Sequence, residues 1–509
     1  MSHPAQPLTR RETLSLLTAF AAQLSLSGCS SSTSTPAPTP TPVTTNPQPT
    51  PPGLIVQSSV TVGTTTKGTV PQGFCGLSYE KSAISRRTLT TASAGLVKLF
   101  QLLNAKSVLR VGGNSVDSTT YAANGPGSTS GALANSDIAA FATFVKAVNC
   151  NVIYGINLKG FLASPPTQTV ANAVAEATYA ASVLGANLLA FEIGNEPDLY
   201  TTSTGAALNY SQFVALWEPV ATAIQAALPT IPLSGPAIAS TGNISSWSVP
   251  FASAEKSRGL NLLTQHRYVA SGTSASATDA TLLSDGTSTG LTQSLQTLNT
   301  TAAAQSIAWR MAETGTYYAP TSGTGQQAFD FASALWVLDY LFANIFAGAQ
   351  GINLHSGGLP QYAPFVPLND DEVNTVTTVN NIFYGMMLFT LGGAGTAVQT
   401  TISSSVAATA YSIMVDATHV STWIINKDTT STQNLQVTIT LPITVASATL
   451  KVMTNTTLSA HTGTTIQGAS ISPTGSFTPA ADYTLNVTGT TVTCYVPTNS
   501  AVLVQTVLN

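Results

Sequence analysis

The chain has 509 residues, enough for two or three domains at roughly 150 residues each. Only 7% are charged, against roughly 25% in ordinary globular proteins, while 43% are hydrophobic, so a large core sits behind a surface of Ser, Thr, Asn, Gln and Gly. A net charge of −4 with no run of Lys or Arg leaves no electrostatic footprint for a polyanion and excludes nucleic acid as an expected partner. With only 9 Glu and 12 Asp, a carboxylate inside an apolar strand needs a reason.

At the N-terminus, Arg10-Arg11 precedes an apolar run over 14–26. A membrane span needs about 20 apolar residues, so the run reads as a signal h-region. It ends in Leu26-Ser27-Gly28-Cys29. The arginine pair resembles a twin-arginine signal, although Thr13 stands where such signals usually carry Phe. The four-residue ending resembles a lipobox, which implies acylation at Cys29 and residues 1–29 as a lipoprotein signal. The expected place is the bacterial cell envelope, lipid-anchored outside the cytoplasm, or secretion if the signal is an ordinary one. Residues 30–52 are almost wholly Ser, Thr, Pro and Ala with no charge and are expected to form an extended tether. The other cysteines, Cys75, Cys150 and Cys494, are widely spaced and read as buried apolar thiols.

A strand over 53–68 is expected to join a β-sandwich further along the chain. Barrel strands are expected at 73–79, 107–112, 151–158, 188–194, 231–235, 260–268, 307–312 and 351–355. Helical patterns lie between them at 137–148, 170–184, 212–228 and 326–346, with N-cap chemistry near Ser136 and Ser211. The stretch 271–290 reads as a long loop. Eight strands alternating with helices predict an α/β fold, a (β/α)8 barrel over 69–394. Beyond it, 395–509 holds short alternating Thr/Val runs at 398–403, 407–415, 420–426, 436–441, 448–453, 483–487 and 491–496, which predict an all-β sandwich.

Barrel enzymes act at the C-terminal ends of their strands. The fourth strand ends in Glu192-Ile193-Gly194-Asn195-Glu196-Pro197-Asp198, and Glu313-Thr314-Gly315 follows the seventh. Two carboxyl groups on facing strand ends are the requirement for retaining glycoside hydrolysis. The motifs Gly76-Leu77-Ser78-Tyr79-Glu80, Leu109-Arg110-Val111-Gly112-Gly113-Asn114, the stretch from Glu192 to Asp198, Met311 to Gly315, and Asn353-Leu354-His355-Ser356-Gly357-Gly358 together resemble glycoside hydrolase family 79. This is the family of β-glucuronidases and heparanases within retaining clan A.

The resemblance implies Glu196 as acid/base, Glu313 as nucleophile and Tyr268 as the hydroxyl that orients it. It implies Asn195 on the sugar 2-hydroxyl, and makes Glu80 and Asp117 candidates for the 3- and 4-hydroxyls. Tyr318 and Tyr362 are carried over as the grip on the uronate carboxylate. Glu192 is expected to pair with Arg110 deep in the barrel, since strand period two places it on the face of Glu196. His355 is expected to be a hydrogen-bonded rim residue. Neither a cofactor nor a metal site is expected.

Without Arg10 and Arg11, 15 scattered Lys and Arg remain, against 20 acids once Glu12 is set aside. A sulfated chain would call for clustered cations. The expected activity is therefore a retaining exo-β-glucuronidase acting on terminal β-D-glucuronate. Two alternatives stand beside it, a retaining glycosidase for a neutral xyloside or glucoside and a non-catalytic glycan-binding barrel.

Overall fold

Eight parallel strands close into a barrel. In the computed structural model, which describes residues 46–103, 106–128, 131–319, 326–356, 362–367 and 375–509, the barrel strands run in chain order. They are Cys75–Glu80, Val108–Gly112, Asn151–Ile156, Leu188–Ile193, Leu233–Ile238, Leu260–Ser271, Ala308–Tyr318 and Ile352–His355. Their residues are buried almost throughout, as expected of parallel strands covered by helices. The expected signal segment, Cys29 and the expected tether as far as Thr45 lie outside the described residues, as does the 357–361 stretch. No helix of the described residues is long and apolar enough to cross a membrane.

The second domain is an eleven-stranded sheet among the described residues. Its inner faces enclose a separate core that includes Val60, Val62, Val437, Ile439, Val492, Val502 and Val504. The long strand Leu54–Val70 lies antiparallel to Gly395–Ser403 and parallel to Gln433–Thr440, so the chain enters the barrel from within this sheet. Before it, Gln48 exchanges two hydrogen bonds with the Tyr495 backbone, at 2.7 and 2.8 Å, so the last residues of the expected tether lie on the sheet.

The sheet braces the barrel helices that follow the seventh and eighth strands. Leu458 and Ala460 carbonyls accept the N–H groups of Ala332 and Phe331, each at 3.0 Å, at the start of helix Ala332–Phe346. Within that helix, buried Asp339 accepts from Tyr411 and Lys427, both at 2.8 Å. Trp423 donates to Leu388 O of helix Asn381–Leu391 at 3.0 Å. These bonds fasten the β domain to the barrel helices.

Several local expectations give way to tertiary contacts. The expected loop at 271–290 contains helix Asp279–Asp285: the Thr278 side chain accepts Thr281 N–H, and Leu282 and Leu283 are buried. The third long helix, Tyr210–Ala227, is capped by Asn209, with Ser211 already inside the helix, through reciprocal 3.0 Å bonds with Gln212. The helix expected at 137 begins at Asn135, with Asp137 accepting Ala134 N–H at 3.0 Å. Thr314 to Tyr318, beyond the expected strand end at residue 312, continues the seventh strand, because the equally extended sixth strand pairs with it as far as Tyr318↔Ser271. A central strand, Ser500–Leu508, was missing from the expected set. Its run Ala501-Val502-Leu503-Val504 is buried on both faces and carries no alternation.

Candidate active site

The strand ends deliver their polar side chains to one cluster at the barrel mouth. Arg110, fully buried on the second strand, is its hub. Its guanidinium donates to Glu192 Oε1 at 2.7 Å through Nε, to Glu313 Oε2 at 2.6 Å and to Asn195 Oδ1 at 2.8 Å. Gly112 makes room for it: a Cβ there would stand 2.5 Å from the guanidinium carbon. The surrounding carboxylates raise the Arg110 pKa despite burial, so its charge is permanent.

Glu313 is buried and held from several sides. The Tyr268 hydroxyl donates to Oε1 at 3.0 Å, while His355 and His266 nitrogens lie 3.7 and 4.0 Å from Oε2. Burial pushes this carboxyl up, but His355, His266, Arg110 and the Tyr268 bond together hold it well below the ordinary carboxylate range. Tyr268 shifts the other way. Burial and the adjacent Glu313 charge raise it well above the usual phenol value, so it remains a donor.

Glu196 reaches the cluster by a turn, not by strand pleat. The fourth strand ends at Ile193, and Gly194 and Glu196 then take φ of +88° and +49°. Strand pleat therefore does not relate Glu192 to Glu196. A non-glycine residue in the left-handed region costs about 1–2 kcal/mol, and Pro197 disfavours the right-handed helical alternative. Such strain collects where a side chain must be aimed. Glu196 Oε1 lies 3.0 Å from His266 Nδ1. Glu196, His266 and Glu313 each bring one atom to a common spot where all three lie within 4.8 Å of one another.

His266 was not singled out in the sequence. Its signal was the period of the sixth strand, which puts it two residues before Tyr268 on the same face. Such a trio can hold a metal ion. Arg110, already on Glu313, sets a fixed cation beside the carboxylate and favours proton-transfer and covalent chemistry over a divalent ion.

The remaining sequence candidates divide. Glu192 pairs with Arg110 below the cluster, fully buried. His355 is no mere rim residue: it is 2% exposed and lies between Glu313 and Glu80, which raise its pKa against burial. Asn195 is 1% exposed, with its amide engaged by Arg110 and, at 3.3 Å, by Asn114. Glu80 accepts the N–H groups of Asn114 and Ser115 at 3.2 and 2.6 Å, so it also builds the turn after the second strand. Asp117 accepts from the Tyr200 hydroxyl at 2.5 Å, and burial lifts its carboxyl to about 7 despite Tyr200 and Lys159.

Three tyrosines from separate segments meet beside Glu313. Tyr268 packs edge-on against Tyr318 at 6.0 Å and Tyr362 at 5.5 Å, and Tyr362 lies 5.9 Å from the His355 ring. Tyr318 is the exposed member, at 49%.

Over 316 residues the chain is 25% identical to a β-glucuronidase of Neurospora crassa, a match spanning 55% of this chain and 56% of that protein. The chain resembles glycoside hydrolases of family 79. It thus spans little more than half the length of that curated relative. No family model matches the chain.

Among solved structures, a 4-O-α-L-rhamnosyl-β-D-glucuronidase from Fusarium oxysporum 12S superposes with a TM-score of 0.69 at 19% identity, covering 89% of this chain and 99% of that one. A family 51 α-L-arabinofuranosidase from Bifidobacterium longum gives 0.64 at 17%, with the same coverages of 89% and 99%. The likeness to these structures is one of fold: a barrel carrying a β domain.

Proposed function

We propose that this protein is a retaining, exo-acting β-glucuronidase that releases terminal β-D-glucuronate from glycans or glucuronides. We further propose that a lipid on Cys29 holds it at the bacterial cell envelope. The observation carrying the catalytic reading is the convergence of Glu196 and Glu313, with oxygens within 4.8 Å. Retaining enzymes need carboxyl groups about 5–5.5 Å apart, whereas inverting ones leave roughly 6.5–9.5 Å for a water. Similarity to a β-glucuronidase supports the choice of sugar.

In this reading Glu313 attacks the anomeric carbon as a carboxylate while Glu196 passes its proton to the departing glycosidic oxygen. An ester to Glu313 forms and the aglycone leaves. Esterification removes the charge of Glu313, but Arg110 keeps its ion pair with Glu192, so the buried guanidinium is never left uncompensated. Glu196, now a carboxylate, takes a proton from water as the water attacks the anomeric carbon. The ester bond breaks, and Glu313 leaves as the anion its neighbours favour. Two displacements return β-configured glucuronate. Tyr318 and Tyr362, both packed on Tyr268, supply hydroxyls for the uronate.

The test compares p-nitrophenyl β-glucuronide with the β-xyloside and β-glucoside, then examines Glu313→Ala and Glu196→Ala with azide. Glucuronide preference is expected, with an α-azide product from the first variant and a β-azide product from the second. Preference for a neutral sugar would replace the substrate. Failure to turn over any glycoside, with glycan binding unchanged in Glu313→Gln, would replace the enzyme by a binding protein.

A further inference from the structure

The turn that aims Glu196 is anchored by consecutive N–H groups on opposite sides. Glu196 N–H donates to Ala237 O at 2.9 Å, on the fifth strand. Asn195 N–H donates to the Tyr200 hydroxyl at 3.1 Å, and that hydroxyl donates onward to Asp117 Oδ1. Tyr200 is 2% exposed, and Asn195 is likewise buried. The phenol therefore spans from the turn after the second strand to the turn after the fourth. It folds back on its own segment, five residues beyond the group it holds. Gly194 permits the approach, since even a Cβ there would come within 3.3 Å of the hydroxyl.

A backbone held at positive φ persists only where its surroundings over-determine it. On one flank, Asp198 accepts Ala239 N–H at 2.9 Å and the Asn243 amide at 3.0 Å. On the other, the Tyr200 hydroxyl is the partner of Asn195 N–H. We infer that Tyr200, braced by Asp117, is a positioning residue for the acid/base Glu196: it fixes the Asn195–Glu196 peptide, and through it the direction of the carboxyl group. This rests on the proposed two-carboxylate mechanism. It also gives Asp117 a duty distinct from any contact with sugar.

A misdirected acid matters only when the leaving group needs a proton. In Tyr200→Phe, kcat/KM for a 4-methylphenyl glucuronide should fall about 10- to 100-fold, the scale of a misplaced catalytic group. For the 2,4-dinitrophenyl glucuronide, whose leaving group departs as an anion, kcat/KM should fall less than about threefold by the same reasoning. Azide should raise kcat on the activated substrate, because the base for the second step is also misplaced. Equal losses on both substrates, or no loss on either, would overturn the inference. Should Tyr200→Phe fail to fold, Asp117→Ala removes the brace and must show the same leaving-group contrast; lost sugar contact alone would slow both substrates together. If the unmodified protein prefers neutral glycosides, the proposed sugar fails and the contrast is read on those; inertness toward every glycoside overturns both.

Discussion

Tyr268→Phe removes one hydroxyl from the proposed nucleophile and spares the ring. The aromatic contacts at 6.0 Å with Tyr318 and 5.5 Å with Tyr362 remain. What is lost is a 3.0 Å hydrogen bond to Glu313 Oε1. A bond to a charged group contributes about 1.5–3 kcal/mol. At about 1.4 kcal/mol per tenfold, kcat/KM should drop roughly 10- to 150-fold. The pH profile must shift as well. The Tyr268 bond is one of the influences lowering the Glu313 pKa, so its removal raises that pKa and moves the acidic limb of kcat/KM toward higher pH. Arg110, His266 and His355 stay in place, so the value remains below the ordinary carboxylate range.

Stability carries the same sign. A carboxylate depressed in the folded state stabilises above its unfolded value of about 4.3, and that contribution is lost as pH falls through the folded value. The variant should therefore melt lower than the parent at neutral pH, with the gap closing as the solution is acidified. Initial rates on an aryl glucuronide across acid and neutral pH, with melting curves beside them, read both effects. An acidic limb that does not move, with a rate loss below about threefold, would refute the assignment of Tyr268 as the donor to a working anion.

Phe at Tyr318 or Tyr362 should raise KM for glucuronides and lower kcat/KM roughly 10- to 100-fold while sparing residual neutral-glycoside activity; equal loss on both sugars would assign the residue to packing. Gly112→Ala places a methyl 2.5–2.7 Å from the Arg110 guanidinium, so it should cost about 1–3 kcal/mol in denaturant unfolding and disturb Glu313 and Asn195 together. An unchanged midpoint and rate would show that Arg110 can move without consequence. Cys29→Ala should release the protein from membranes with its activity intact, read by fractionation; equal solubility before and after would remove the anchor.

Local pattern was sufficient for much of this molecule. Apolar β-rich segments alternating with helical patterns predicted eight barrel strands, and the Thr/Val alternation after residue 394 predicted a β domain. The scarcity of charge was informative in its own right, because it made Glu196 and Glu313 conspicuous at the ends of apolar strands. What alternation could not convey is a strand buried on both faces, and Ser500–Leu508 escaped for that reason. Composition likewise concealed helix Asp279–Asp285, whose stability comes from burying Leu282 and Leu283 and not from its Ser/Thr/Gly surroundings.

The site shows the division most clearly. Chain position alone allowed Glu192, on the strand, to be set apart from Glu196 beyond it. Only tertiary structure decided that Arg110 would bond Glu192, Glu313 and Asn195 at once, since those partners lie 82, 203 and 85 residues away in sequence. It also decided that His266 would reach Glu196, that His355 would lie between Glu80 and Glu313, and that Tyr200 would grip Asn195. The physical reason is closure of the barrel. Side-chain period within a strand is a local property of the backbone, whereas the neighbours across the barrel mouth depend on register, shear and turn geometry around the whole ring.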